Sequence, residues 1–165
     1  MIGNRSILPE RPDSPRGMPV KSWKYGLVTI FTAFHDVIVP VGVFAFLGHF
    51  YGVEIGTAFI AAILTILGYS ITDTIVVMDR IRENLQKLSG TFEDIVSKSV
   101  RQTYFRSFST SMTTLLVLLA IHFFGGETLR DFTLALIIGI TVGTYSSIFI
   151  ASPLLVTWDR LSRKK

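Results

Sequence analysis

Residues 56–77 read GTAFIAAILTILGYSITDTIVV, and residues 78–84 follow at once as MDRIREN. The first stretch is an apolar run holding one charge, Asp73, whose other polar neighbours are hydroxyls. At about 1.5 Å per residue, a helix of this length crosses the hydrocarbon core of a bilayer. An acid inside such a helix costs roughly 2.5–3.5 kcal/mol on insertion scales, so it faces a partner or a water path. The second stretch is dense in charge and must lie in water at the helix end. A carboxylate held close to one membrane face points to proton or ion coupling.

Working outward, the same segregation covers the whole chain. Charged residues make up 17% of the 165 residues, and the mean hydropathy is +0.50. Soluble domains carry about 25% charge. Four apolar runs predict an all-α membrane protein with spans at about 25–50, 55–78, 106–124 and 132–158. A polar tail precedes them at 1–24, a cytoplasmic loop covers 79–105, and a basic tail covers 159–165. The first tail holds four of the six prolines and reads as extended and disordered. It lacks the apolar core of a signal peptide, so the first span must also direct insertion.

The net charge of +4 could suggest nucleic acid, but the placement of the cations argues for topology. Arg5, Arg11, Arg16, Lys21 and Lys24 precede the first span. Arg80, Arg82, Lys87, Lys98 and Arg101 lie between the second and third, and Arg160, Arg163, Lys164 and Lys165 close the chain. Only Arg106 and Arg130 stand elsewhere. By the positive-inside rule both termini and the loop 79–105 are cytoplasmic. With no cysteine, thiolate sites and disulfides are excluded. The three histidines show no metal-ligand spacing, and no phosphate-binding loop of the G-x-x-x-x-G-K-[ST] type occurs. Nothing calls for a metal, a cofactor or covalent catalysis.

Several constellations could carry chemistry. On a helical wheel Ala58, Ala62, Ile66, Tyr69, Ser70, Asp73 and Arg80 share a face, which places Tyr69 and Ser70 within hydrogen-bonding reach of Asp73. On the next span Gln102, Arg106, Ser109, Thr110 and Thr113 form a polar stripe that begins with a cation. Antiparallel packing brings Arg106 to a depth comparable with Asp73. One reading is a carboxylate whose proton affinity is toggled by the guanidinium; the other is a static salt bridge that fixes register. His35-Asp36, just before Pro40, reads either as a relay or as a pair that caps a proline kink. Ala135, Gly139, Gly143, Ser147 and Ala151 recur every four residues and form a close-packing track. In the charged stretch, Asp79, Arg80, Arg82 and Glu83 have the spacing of ion pairs that stiffen an exit helix, ahead of Asn84. Thr91 reads as the N-cap of a helix that starts at Phe92 and runs into the third span.

GYSITDTIVVMDRIREN resembles the G-Y-S-[IL]-N-D-[ST]-[IV]-V-V-x-D-R-I-R-E-N signature of the bacterial SecF protein-export subunit. HDVIVPVGVF resembles that family's His-Asp span, and the stretch from RQTYFRSFSTSMTT to SSIFIASPLL resembles its last two spans. The resemblance covers about residues 25–158. It implies the C-terminal half of a bundle of the resistance-nodulation-division (RND) type. It also implies partnership with SecD and the SecYEG translocon, preprotein substrates, and use of the proton-motive force late in export across the bacterial inner membrane. Asp73 then corresponds to the family's intramembrane aspartate and Arg106 to the arginine that opens the next span, both implicated in proton conduction. Thr72 stands where the family has asparagine, keeping a hydrogen-bonding group but losing the amide. The family also carries two further spans and a periplasmic domain ahead of the His-Asp span, so the chain reads as a truncated gene, a fragment or a split subunit. Two alternatives are a non-conducting structural subunit and a fragment of an RND-type substrate exporter, which would need a large periplasmic domain.

Topology is directly testable. A reporter fused after Lys165 is expected to report the cytoplasm, because nearly all the cations flank that side. A fusion active only outside the membrane would overturn the assignment.

Overall fold

The computed structural model describes residues 22–53 and 55–163. The predicted disordered tail therefore lies outside the described residues, except that Ser22, Trp23 and Lys24 already belong to the first helix. Five helices follow in order: α1 (Ser22–Tyr51), α2 (Thr57–Lys87), α3 (Phe92–Phe124), α4 (Glu127–Phe149) and α5 (Ala151–Arg163). Four stretches are long and apolar enough to cross a membrane, and the last of them runs through α4 into α5. Large apolar side chains such as Ile30, Phe34, Ile60, Leu64, Leu116 and Val117 face outward, as a lipid solvent demands.

The charged region 79–105 is mostly helix. α2 continues through MDRIREN to Lys87, and α3 begins at Phe92. The turn between them holds Gly90 at φ 151°, a backbone angle that glycine adopts without a Cβ penalty. Thr91 caps α3, its Oγ1 accepting from the Asp94 N–H at 3.3 Å, and Glu93 and Asp94 complement the helix dipole. At the other end of the chain, the span expected over 132–158 is present and carries a break in its helix at Ile150. Pro153 is the physical reason: it has no N–H for the carbonyl of Phe149, and its ring crowds that carbonyl. α1, by contrast, runs through the buried Pro40 without interruption.

Inside the bundle, two apolar clusters lie at opposite ends. The start of α1, the α2–α3 hairpin and α5 meet at the basic end, where Tyr25, Val28, Val77, Met78, Ile81, Phe92, Val96, Ala151 and Leu155 form one core. Trp23 and Trp158 close it edge to face, with centroids 5.8 Å apart. Toward the other end, Phe44, Phe59, Ala62, Ile66, Leu118, Ala135, Leu136 and Ile140 form the second core. The polar side chains described below occupy the layer between the two.

α4 is the hub, and it packs most extensively on α2. Ala135, Gly139, Gly143 and Ser147 are all buried along it, and Ala151 is buried at the start of α5. The two glycines differ. A methyl group at position 139 would lie 2.3 Å from Ile66 Cδ1 and 2.8 Å from its Cγ2. At position 143 the nearest atoms would be Ser70 Cβ at 3.5 Å and Asp36 Oδ2 at 3.7 Å, which is ordinary contact. Ala58, assigned by the wheel to the α2 interface, is exposed, and Phe59 is buried instead.

Gly139→Ala is therefore expected to destabilise the bundle by about 1–3 kcal/mol, the usual cost of overpacking. Gly143→Ala should be neutral or stabilising by up to about 1 kcal/mol, because alanine is the better helix former. Thermal unfolding in a mild detergent checks the difference, and equal midpoints for the two variants would refute it.

Candidate functional site

Two carboxyls occupy the central layer, and each is held by hydroxyls from neighbouring helices. Asp36 on α1 is completely buried. Its Oδ2 accepts from Ser146 Oγ on α4 at 2.7 Å and from Ser70 Oγ on α2, and its Oδ1 lies 3.0 Å from His35 Nδ1. Asp73 on α2 is half-buried. Its Oδ1 accepts from Ser107 Oγ on α3 at 2.7 Å, and its Oδ2 accepts from Ser147 Oγ on α4. Beside them, Tyr69 Oη and Ser111 Oγ are 3.0 Å apart, and Thr144 Oγ1 donates to Ser111 Oγ at 2.6 Å.

Helix periodicity explains the wiring. Ser146 and Ser147 are adjacent on α4, so their side chains point about 100° apart, one toward α1 and the other toward α2. Ser70 and Asp73 are three residues apart on α2, so one helix face serves both carboxyls. Ser99, Thr103, Ser107 and Ser111 recur every four residues on the buried face of α3. These short side chains let α3 approach α2 and α4 closely while supplying hydroxyls.

That packing turns α3 away from the orientation expected from its sequence. The stripe of Gln102, Arg106, Thr110 and Thr113 is exposed, while Ser107 meets Asp73. Arg106 makes no ion pair with Asp73. Burying the small-residue face of α3 leaves the Arg106 stripe, about 100° around the helix, on the outside. Thr110 Oγ1 donates to the Arg106 carbonyl at 2.9 Å, and Thr72, also exposed, donates to the Gly68 carbonyl at 2.8 Å. Tyr69 and Ser70 do not bond Asp73: Tyr69 reaches Ser111, and Ser70 reaches Asp36.

The charged motif builds a clasp at the basic end. Asn84 is buried, and its Nδ2 donates to Ser99 Oγ and to Gln102 Oε1, both at 2.8 Å. Arg80 Nε donates to the same Gln102 oxygen at 2.8 Å. Glu83 joins Arg80 to Lys87, and the Arg82 guanidinium lies 5.1 Å from the centre of the Tyr25 ring. Asp79 is exposed. Gln102 thus belongs to this clasp, which locks the α2–α3 hairpin, and stands apart from the two carboxyls.

Sequence reading missed Ser107, Ser111, Thr144 and Ser146. The four-residue spacing of hydroxyls on α3 was available as a signal, but the stripe headed by Arg106 competed with it on the same helix. Among the described residues no group of three His, Asp or Glu side chains could hold a metal ion. The chemistry within reach of this layer is the binding and release of protons. Each carboxylate has hydrogen-bond donors that offset its desolvation, and each lies between two apolar plugs.

Comparison with known proteins agrees with the fold. The C-terminal model of the protein export membrane proteins SecD and SecF matches residues 21–161. The protein translocase subunit SecF of Thermobaculum terrenum is 55% identical over 138 residues, which is 83% of this chain and 44% of that protein. The SecDF subunit of Thermus thermophilus is 48% identical over 137 residues, covering 82% of this chain and 18% of its own length. A crystal structure of SecDF in a super-membrane-facing form superposes with a TM-score of 0.78 at 46% identity, over 86% of this chain and 19% of that one. The chain spans less than half the length of the SecF relative. With the family model matching most of its length, this four-span chain belongs to the SecD/SecF family of protein export membrane proteins, whose C-terminal region it represents.

Proposed function

We propose that the chain serves as an auxiliary part of the Sec export machinery of the bacterial inner membrane, where it couples proton movement to late preprotein translocation. Asp73 is the proton-binding group in this reading. The observation that carries it is the half-buried carboxyl held by Ser107 and Ser147 between two apolar cores. The partners are SecD, the SecYEG translocon and the preprotein. The relatives named as SecF and as a fused SecDF support this assignment. The basic end faces the cytoplasm, with membrane lipid around the apolar surfaces.

Arg106 is the chain neighbour of Asp73's partner on α3. It precedes Ser107 by one residue, so it lies about 100° around α3 from the hydroxyl that touches the acid. A rotation of α3 would exchange serine for guanidinium at the carboxylate, which gives the proton-bound and proton-free states different contacts. A lipid-facing cation is costly, so the exposed Arg106 stripe also fits against a partner subunit. The separation of Arg106 from Asp73 favours a second reading, in which the chain is a non-conducting scaffold for SecD or the translocon.

One proton moving down 100 mV releases about 2.3 kcal/mol, so work on a polypeptide needs many cycles at Asp73. The links that join α1 to α2 and α3 to α4 are short, so in this reading SecD and other parts of a SecF supply the outer domain that moves. In proteoliposomes the chain alone is expected to conduct protons slowly and to support no export. Adding SecD and the part of SecF that this chain does not span should restore both, and Asp73→Asn should prevent that restoration while leaving assembly intact. Normal export by an assembled Asp73→Asn complex would establish the scaffold reading instead.

A further inference from the structure

Asp36 has no role in the mechanism proposed for Asp73, yet it is the more deeply buried of the two acids. Three features distinguish its site from a passive cap. First, its hydrogen bonding is complete in both protonation states. The ionised form accepts from Ser70, Ser146 and the Nδ1–H tautomer of His35. The protonated form donates its Oδ1–H to His35 Nδ1 while Oδ2 keeps both serines, so only the imidazole tautomer changes. Second, His35 is 39% exposed while the Asp36 side chain is fully enclosed, so the imidazole is the acid's way out of the bundle. Apolar cores lie toward both ends of the bundle. Third, adjacent residues of α4 hold the two acids, Ser146 on Asp36 and Ser147 on Asp73, and α2 repeats the link with Ser70 and Asp73.

We infer that Asp36 is a second proton-carrying carboxyl, loaded laterally through His35 and coupled to Asp73 through Ser146 and Ser147. The inference rests on the reading of Asp73 as the coupling acid and extends it to a two-site array. The step balances as follows. A proton from an acid or water held by the subunit that covers this face of α1 binds His35 Nε2, and the Nδ1 proton passes to Asp36 Oδ1. The products are a neutral carboxylic acid and a neutral Nε2–H imidazole, and reversal returns the proton to that donor. The charged and titratable surroundings of Asp36 are few. On α1 itself there is His35. From α2 come Ser70 and, one turn on, Asp73. From α4 come Ser146 and the close backbone at Gly143. α5 carries Asp159 and Arg160 at the basic end, where Arg160 pairs with Glu93. Among the described residues His35 is the titratable side chain in contact with Asp36.

Infrared difference spectroscopy after pH jumps, on the purified chain in lipid nanodiscs, tests this. Two carboxyl bands from enclosed acids are expected, one lost in Asp36→Asn and the other in Asp73→Asn. Neutralising either acid should move the midpoint of the other by the same amount and in the same sense, as linkage requires. Titration of the Asp73 band with no band from Asp36 would overturn the inference and leave the Asp73 reading standing; silence of both would sink the two together. Independent midpoints would refute the coupling. His35→Ala supplies a second test that does not depend on the folding of Asp36→Asn. Proton exchange at Asp36 should slow by about a hundredfold, the lower end of what a positioned proton donor contributes, and external imidazole should restore it. An unchanged exchange rate would refute the lateral route.

Discussion

Two carboxylates inside a lipid-embedded bundle must each find several hydrogen-bond donors within the protein, and the rest of the structure is arranged around that requirement. Apolar cores stand above and below the layer, so its polar groups find their partners chiefly in one another. An unpaired carboxylate there would cost several kcal/mol. Serine is the economical donor, being short enough to let helices touch and able to rotate its hydroxyl toward a charge. Ser70, Ser107, Ser146 and Ser147 fill that role, drawn from three helices around acids on two. A donor supplied from a neighbouring helix also ties its position to the protonation state of the acid.

Close approach of α4 makes this possible. Gly139 admits Ile66, and Gly143 brings the α4 backbone beside Ser70 and Asp36. Small residues serve packing first, since van der Waals contact drives helix association in lipid. They serve the site second, because the same proximity sets Ser146 and Ser147 against different acids. The Pro153 break lets α5 leave the line of α4 and close the basic end with Leu155 and Trp158. The clasp of Arg80, Asn84, Gln102 and Ser99 holds the α2–α3 hairpin at that end, so α3 is anchored there while its central portion carries both Ser107 and Arg106.

The outer surface follows the same economy. Most of it is apolar, but α3 presents Arg106, Thr110 and Thr113 outward. The threonines turn their hydroxyls back on the helix, to the carbonyls of Arg106 and Ser109, and so cost little in an apolar setting. The guanidinium has no such option. A bare lipid face is a poor place for it.

Periodicity and composition alone carried the reading a long way. The apolar runs marked four spans, the cation blocks marked one end of the bundle, and GYSITD and His35-Asp36 marked the two intramembrane acids, because length, charge and buried acidity are local properties of the chain. Thr91 was legible as a cap for the same reason. What the tertiary structure decided was which face of each helix turned inward. α3 offers two polar stripes about 100° apart, and only its packing against α2 and α4 selected Ser107 over Arg106 as the partner of Asp73. Likewise the pairing of Ser70 and Ser146 with Asp36 joins residues far apart in the chain, and no wheel drawn for one helix at a time contains it. Helical spacing decides which residues can share a face; the contacts of neighbouring helices decide which face meets the acid.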